Sequence, residues 1–215
     1  RSYSKRLFTR QIRCYSKYKP GGYDVVLKKG RKNKKRKVRK ILAISAEGKN
    51  KTERNYFKRF NKLQDKFAIN IIPGNETDPV NLVSAAISYS KKEELDFHSG
   101  DIALALIDVD TNHEQVKQIR EAIAIAQKNN ISVICSNPCF EVWLFLHLKY
   151  STGSHYSSNK CIDELKSVWP TYLKGTTDFS TIADLTNEAL RNAKKLLNYH
   201  ESVGNTNILN QNPGT

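Results

Sequence analysis

Residues 102–110 read Ile-Ala-Leu-Ala-Leu-Ile-Asp-Val-Asp, and this stretch carries the clearest signal of the fold. The apolar run 102–107 is short and uncharged, which is typical of a strand buried on both faces of a sheet. Asp108 and Asp110 follow it directly. Alternate residues of an extended segment point to the same side, so we expect these two carboxylates to face the same way.

Three further apolar runs lie at 41–46, 68–72 and 131–135, separated by segments whose apolar residues recur three and four positions apart. Strands that alternate with helices predict βαβ units, right-handed crossovers and a parallel sheet. In such sheets ligands bind outside the carboxyl ends of the strands, where the strand order reverses. A strand order of 2-1-3-4 would bring the ends of the first and third strands to one edge.

The helical segments between the strands carry recognisable start signals. The first begins near Thr52, and its apolar face continues to Phe67; the second begins at Asp78, which resembles an N-cap. Asn137-Pro138 is expected to cap the strongly apolar helix that follows it, whose hydrophobicity on all sides predicts deep burial. The later helices are predicted at 116–126, 139–148, 159–169 and 181–199.

The expected fold class is therefore α/β. It has a short, parallel, Rossmann-like sheet of about four strands with helices on both faces, C-terminal helices and a basic N-terminal arm. We expect four parts: the arm at 1–40, the α/β core at 41–150, a helical extension at 151–201 and a polar tail at 202–215, which should end raggedly.

Charge is distributed unevenly along the chain. Residues 1–40 contain 17 of the 36 Lys and Arg residues and one acid, so their formal charge is +16, while the remainder sums to −1. A basic arm on a nearly neutral body predicts contact with a polyanion, DNA or RNA, although a solvated tail is the plainer alternative. The candidate nucleic-acid-binding residues are Arg31, Lys32, Lys34, Lys35, Arg36, Lys37, Arg39 and Lys40.

A third carboxylate belongs with the two aspartates. Glu47 follows the first predicted strand as Asp108 and Asp110 follow the third, so the order 2-1-3-4 would gather all three. Their mutual repulsion would raise their pKa values unless a cation neutralised them. Carboxylate oxygens suit Mg²⁺, for which Mn²⁺ is the natural substitute. The sequence therefore predicts a Mg²⁺ site at this edge.

Three blocks of sequence resemble a known family. They are Glu47-Gly-Lys-Asn-Lys-Thr-Glu-Arg-Asn-Tyr-Phe57, Asp108-Val-Asp110 and Ser136-Asn-Pro-Cys-Phe-Glu-Val-Trp-Leu144. The first two resemble the Toprim pattern of topoisomerases, primases and overcoming-lysogenisation-defect nucleases. Together, over roughly residues 36–199, the blocks resemble the RloB family, which includes the AbiL-type abortive-infection proteins of phage defence.

The resemblance implies a Toprim-like fold and a metal-dependent nuclease that acts beside an AAA-type ATPase. Carried over to this chain, Glu47 would exchange a proton with the nucleophile or the leaving oxygen, and Asp108 and Asp110 would hold the metal. Glu141 is a further candidate ligand, with a favourable place at a helix N-terminus as the alternative. His113 is a candidate phosphate contact, with a capping role as its alternative.

Two other functions stay open. One is a catalytically silent Toprim-like module that binds nucleic acid or docks on the ATPase. The other is a haloacid-dehalogenase-like phosphatase with Asp108 as nucleophile. That motif requires Thr or Val where this chain has Asn112, and it belongs to the first strand of its fold.

Several other patterns carry less weight. Residues 48–52 lack the spacing of a phosphate-binding loop, which argues against ATP hydrolysis by this chain. Cys135, Cys139 and His147 are interpreted as buried groups and not as zinc ligands. Glu53 is expected to act structurally, as the first-turn acid of its helix.

The cellular compartment is inferred from the kinds of segment and motif that the sequence lacks. The apolar runs are shorter than the roughly 18 to 20 residues of a membrane span, and the first residues carry no secretory apolar core. The four cysteines form no C-x-x-C pair. We therefore expect a cytoplasmic protein with no membrane partner; the sequence leaves a homo-oligomer open.

Overall fold

Four parallel strands form the centre of the protein in a computed structural model, which describes residues 39–47, 51–63, 66–109, 113–155 and 157–215. The strands are paired in the order β2-β1-β3-β4. Helices cover both faces of the sheet, so the expected α/β fold class with a short parallel sheet is confirmed, and the architecture is consistent with a Toprim-like (Rossmann-like) fold. The strand bounds are β1 (Lys40–Ser45), β2 (Phe67–Ile71), β3 (Ile102–Asp108) and β4 (Ser132–Ser136).

The first face of the sheet consists mainly of small side chains. These let α3 (Pro79–Lys92) and α4 (His113–Lys128) pack closely against it. Asp78 caps α3 as predicted, because its Oδ1 accepts hydrogen bonds from the backbone N–H groups of Val80 and Asn81 at 2.9 and 3.0 Å. The fully buried strand residues on this face are Ala43, Ala103, Ala105, Ile107 and Cys135.

The second face carries larger aliphatic side chains, including Ile44, Leu104 and Leu106. It packs against the aromatic side chains of Phe57, from α1 (Lys51–Lys58), and Phe60, from α2 (Phe60–Leu63). Successive residues of β1 and β3 therefore point to opposite faces, each of which is buried. This explains why the strands appear in the sequence as continuous apolar runs.

The prediction of one helix from Thr52 to Phe67 is wrong. The helical stretch is broken at Arg59, and Phe67 is the first residue of β2. The Asn61 side chain bonds to both the backbone N–H and the carbonyl of Ile69, each at 2.8 Å. This tertiary bond holds the end of the helix against the strand, and Phe67 joins the second face from β2.

The C-terminal helices build a second, largely aromatic core around α5 (Glu141–Leu148). Six of the eight α5 residues are buried, which confirms the predicted deep burial. The helix is followed by α6 (Ser158–Val168), a 3₁₀ helix (Phe179–Leu185) and α7 (Thr186–Ser202). The sheet and these helices form one compact unit, Val38–Thr215.

Asn137-Pro138 does not cap α5, contrary to the prediction. The residue before the helix is Phe140, which makes no side-chain capping bond. Asn137 is engaged elsewhere: its backbone pairs with Gly214, and its Nδ2 donates to the carbonyl of Leu209 at 3.1 Å. Asn137 Oδ1, the acceptor that could have capped the helix, is buried without a hydrogen-bond partner, while the backbone and Nδ2 of Asn137 bind the C-terminal segment.

The polar tail is packed, which differs from the expected ragged end. A 3₁₀ helix (Ile208–Asn210) places Leu209 in the hydrophobic core on the first face of the sheet, and Gln211 is buried. At Gly214 an added Cβ would lie 2.6 Å from the carbonyl oxygen of Gln211, so only glycine fits this close approach. The polarity of the segment does not predict this packing, because the backbone pairing of Gly214 with Asn137 and the burial of Leu209 hold the segment in place.

Within the part of the chain that the structure describes, no helix combines the length and apolarity that crossing a bilayer would require.

Candidate functional site

The carboxyl ends of β1 and β3 open into one cleft. In the parallel register Ser45 lies opposite Ala105, so Glu47, two residues further on, emerges within one residue of the end of β3 at Asp108. Glu47 and Asp108 both line this cleft, which has a volume of about 240 Å³. The other lining residues are Thr77, Leu82, Ile107, Gln115, Ser158 and Lys174.

Asp108, which lines the cleft, has a strongly perturbed pKa. Its pKa is raised well above the ordinary value, first because burial removes water from the carboxylate and then because Glu53, Glu141 and Glu47 repel its charge; Lys174 offsets part of this. The Nε2 of Gln115, in the first turn of α4, donates to the Asp108 carbonyl at 3.2 Å and ties the helix to the strand end.

Glu53 joins this group of acids, although its position in the first turn of α1 predicts only a structural role. Its side chain is 4 % exposed, and its Oε2 has no hydrogen-bond partner. The pKa of Glu53 is raised to about 8, chiefly by burial; the charges of Glu141 and Glu47 add to the rise, while its own backbone N–H and Lys174 oppose it. The available signal was position: Glu53 precedes the buried Tyr56 by three residues, so it lies on the inner face of α1.

Glu141 is the first residue of α5 and is almost fully buried. Its Oε1 accepts a hydrogen bond from the Tyr172 hydroxyl at 2.8 Å and lies 3.6 Å from the Lys174 ammonium. Its charge also raises the pKa values of Asp108 and Glu53. The position of Glu141 at a helix N-terminus does not predict these contacts, because Tyr172 and Lys174 lie in a loop far along the chain.

That loop, between α6 and the 3₁₀ helix, contributes Lys174, which no motif in the sequence indicated. The loop is bound to α1: the N–H of Gly175 donates to Thr52 Oγ1 at 2.9 Å, and Asn55 Nδ2 donates to the Gly175 carbonyl at 3.1 Å. Gly175 has a φ of +81°, a conformation that favours glycine. Burial lowers the pKa of Lys174, but the nearby acids, Glu141 foremost, outweigh it and the pKa is raised overall.

Several predicted site residues lie outside the described part of the chain. Asp110 is one of them, and so is the side chain of His113, although His113 itself begins α4. Of the basic candidates, Arg39 and Lys40 are exposed at the start of β1. The others, all outside the described residues, are Arg31, Lys32, Lys34, Lys35, Arg36 and Lys37.

The other end of α5 holds a buried polar pair of a different kind. His147 Nε2 lies 3.1 Å from the Tyr56 hydroxyl, and its Nδ1 lies 2.9 Å from the carbonyl of Trp143. Burial, with a smaller contribution from Arg59, lowers the pKa of His147 to about 4, although the Trp143 carbonyl opposes the shift. His147 is therefore a neutral, hydrogen-bonded core residue, and Cys135 and Cys139 are buried free thiols.

The acids at the cleft suit a hard divalent cation. Glu47 and Asp108 offer carboxylate oxygens at the cleft, and Oε2 of the nearby Glu53 has no hydrogen-bond partner. Among the residues that the structure describes, no three His, Cys, Asp or Glu side chains are grouped closely enough to enclose a metal ion. Mg²⁺ commonly uses only one or two carboxylates with water and substrate phosphate, so Asp108 is the described residue that would hold it, with Glu47 beside it in the cleft.

The fold and the site define a class: an α/β protein whose acidic cleft lies at the carboxyl edge of a parallel sheet, where such folds bind ligands. A family model described as RloB-like protein matches residues 42–215, which is most of the chain. The protein belongs to the RloB-like family. No curated protein and no solved structure matches the chain.

Proposed function

We propose that this RloB-like protein is a metal-dependent nuclease of the Toprim type, which hydrolyses phosphodiester bonds of DNA or RNA. The observation that carries the proposal is the cleft in which Glu47 and Asp108 meet at adjacent strand ends. The raised pKa of Asp108, which burial and then the neighbouring acids cause, supports it, because perturbed acids in clefts are common at functional sites.

Each residue has a role in this proposal. Mg²⁺, or Mn²⁺ in its place, would polarise the phosphoryl oxygens and orient the attacking water. Asp108, together with Asp110, would hold the cation, and Glu47 would exchange a proton with the nucleophile or the leaving oxygen. Glu47 lines the cleft beside Asp108, which is where an acid or base must lie to reach a phosphate bound there.

The basic arm supplies affinity in this proposal, because residues 1–40 carry the +16 charge and none of the acidic group. Cations that neutralise Z phosphates give log K a salt slope of about −0.9Z on duplex DNA and about −0.7Z on single strands. Deleting the arm should weaken nucleic-acid binding and flatten this slope, measured by fluorescence anisotropy. An unchanged slope would show that the contact lies elsewhere.

The cellular setting follows from the family resemblance. We propose a toxic effector of abortive infection that works in the cytoplasm with an AAA-type ATPase; buried free thiols at Cys135, Cys139 and Cys161 are compatible with a reducing compartment. Cell killing on phage infection that proceeds equally well without the ATPase would contradict this partnership.

A catalytically silent module is the second candidate. The observation in its favour is the ion pair between Lys174 and Glu141, since it neutralises part of the acidic group without a metal. Such a module would bind nucleic acid or the ATPase with unchanged affinity in the presence of chelator, and it would not cut.

The deciding experiment is a cleavage screen with the full chain. Plasmid DNA, single strands and total RNA including tRNA are incubated with Mg²⁺ or Mn²⁺, with and without the ATPase. We expect cleavage of at least one substrate class that stops in excess EDTA and returns when metal is restored. Cutting that continues undiminished in EDTA would overturn the proposal, and binding without cutting under all conditions would favour the silent module.

A further inference from the structure

Lys174 is the feature of the site that the proposed function leaves unused. Its Nζ lies 3.6 Å from Oε1 of the buried Glu141, and the same side chain, 36 % exposed, lines the cleft with Glu47 and Asp108. An ammonium group has three N–H donors, so one contact with Glu141 leaves others to face the cleft. Lys174 therefore joins the inner acid to the open part of the site.

The position of Lys174 is fixed by its neighbours. Gly175, the next residue, is bonded through both its N–H and its carbonyl to Thr52 and Asn55 of α1. On the other side, the Tyr172 hydroxyl bonds to Glu141 itself. The loop thus brings one hydrogen bond and one positive charge to the same buried carboxylate.

The negative charge of the site is therefore divided into two parts. On the Glu141 side, Tyr172 and Lys174 act as hydrogen-bond donor and counter-ion. On the cleft side, Asp108 and Glu47 border open space, and Oε2 of the neighbouring Glu53 lacks any partner. A metal ion would find a carboxylate that borders open space at Asp108, whereas at Glu141 it would meet an ammonium group already in place.

We propose that the site takes one divalent cation, at Asp108 on the cleft side, and that the Lys174 ammonium stands at Glu141 where a two-metal site would hold its second ion. This inference rests on the proposed metal-dependent function and specifies its metal content. Glu141 is then a positioning residue for Lys174 and not a metal ligand.

The test is the number of Mn²⁺ ions bound per chain, measured on the full chain by isothermal titration calorimetry and by electron paramagnetic resonance of free Mn²⁺. The wild type should bind one ion. Lys174→Ala should bind a second, weaker ion, and the double variant Lys174→Ala with Glu141→Gln should return to one. Lys174→Arg, which keeps the charge, and Lys149→Ala, which removes an exposed lysine at the opposite end of α5, should each bind one.

Two ions in the wild type, or an unchanged single ion in Lys174→Ala, would overturn the inference while leaving the nuclease proposal intact. No ion in the wild type would remove both. The single variant Glu141→Gln keeps the test open should Lys174→Ala fail to fold: it should retain the bound Mn²⁺ with similar affinity, and loss of the ion would show that Glu141 is a ligand after all.

Discussion

The two ends of helix α5 bury polar groups in opposite ways. At the first residue, Glu141 shares its surroundings with Asp108 and Glu53, whose pKa values are raised by burial and by mutual repulsion. At the other end, His147 finds a partner for each ring nitrogen, in Tyr56 and in the Trp143 carbonyl.

This difference in how the polar groups are partnered distinguishes a candidate functional site from an ordinary part of the core. His147 is neutral and has a hydrogen-bond partner for each ring nitrogen, which is the usual condition of a buried polar side chain. The Glu141 end holds several carboxylates and one described ammonium group, and it leaves an oxygen of Glu53 without a partner. A fold tolerates such an arrangement when it serves binding or catalysis, because the repulsion works against stability.

Removing Asp108 should have the largest effect on activity. Asp108→Ala takes away the acid at the centre of the proposed cation site, so cleavage should slow by at least about a hundredfold, the order found for losing a principal electrostatic stabiliser. The free energy of unfolding should not fall, because the substitution relieves repulsion with Glu53 and Glu141. Cleavage assays and urea unfolding check both statements.

The control for that comparison is Asp163→Ala, which removes an exposed acid from α6 and should change neither quantity. If the loss of activity in Asp108→Ala merely followed a loss of folded protein, Asp108 would belong to the core and not to a site.

Glu53 should make stability fall as the pH rises. Its folded pKa of about 8 exceeds the ordinary 4.5, so between these values the folded state binds more protons than the unfolded state. At one pKa unit per 1.36 kcal/mol, this term should lower the wild-type free energy of unfolding by about 3 to 5 kcal/mol between about pH 4.5 and pH 8 in metal-free buffer.

Glu53→Gln imitates the protonated form and should lack this loss. The measurement is urea unfolding at several pH values for the wild type, Glu53→Gln and the exposed control Glu121→Gln. If the free energy of unfolding varied with pH in the same way in all three proteins, the pKa of Glu53 would not be raised in the folded state. The two ends of α5 would then not differ in the way described above.

His147 should act in the opposite direction and somewhat less strongly. Its folded pKa of about 4 lies below the ordinary 6.5, so the unfolded state binds the proton first and stability falls as the pH drops through this range. The expected loss is about 3 kcal/mol, at 1.36 kcal/mol for each pKa unit.

His147→Gln should be less stable than the wild type near neutral pH, yet it should lack the acid-side loss, while the exposed control His98→Gln should keep it. Urea unfolding between about pH 4 and pH 7 measures the difference. The same acid-side slope in His147→Gln and the wild type would contradict the neutral-core interpretation.

The meeting of Glu47 and Asp108 could be predicted because it depends on regular structure. Apolar runs indicate strands, parallel strands present their carboxyl ends at one edge, and the strand order brings the ends of β1 and β3 together. Such reasoning needs only local patterns and general topology, and the same patterns placed the N-cap at Asp78 correctly.

Lys174 could not be predicted, because its place depends on tertiary contacts of a loop with no periodic pattern. The hydrogen bond between Gly175 and Thr52 joins residues 123 positions apart. The bond between Tyr172 and Glu141 joins residues 31 positions apart. The packed C-terminal segment was missed for the same reason: the pairing of Gly214 with Asn137 leaves no trace in hydropathy.

The most direct test of the central claim is single-turnover cleavage by Glu47→Gln beside the wild type, with Mg²⁺ and with excess EDTA. Glutamine keeps the shape of the side chain and removes the charge that accepts a proton, a role typically worth about 10² to 10⁴ in rate. The account predicts that the variant folds normally, binds nucleic acid as tightly as the wild type and cuts at least about a hundredfold more slowly. Full activity in Glu47→Gln, or wild-type cleavage that EDTA does not stop, would contradict it.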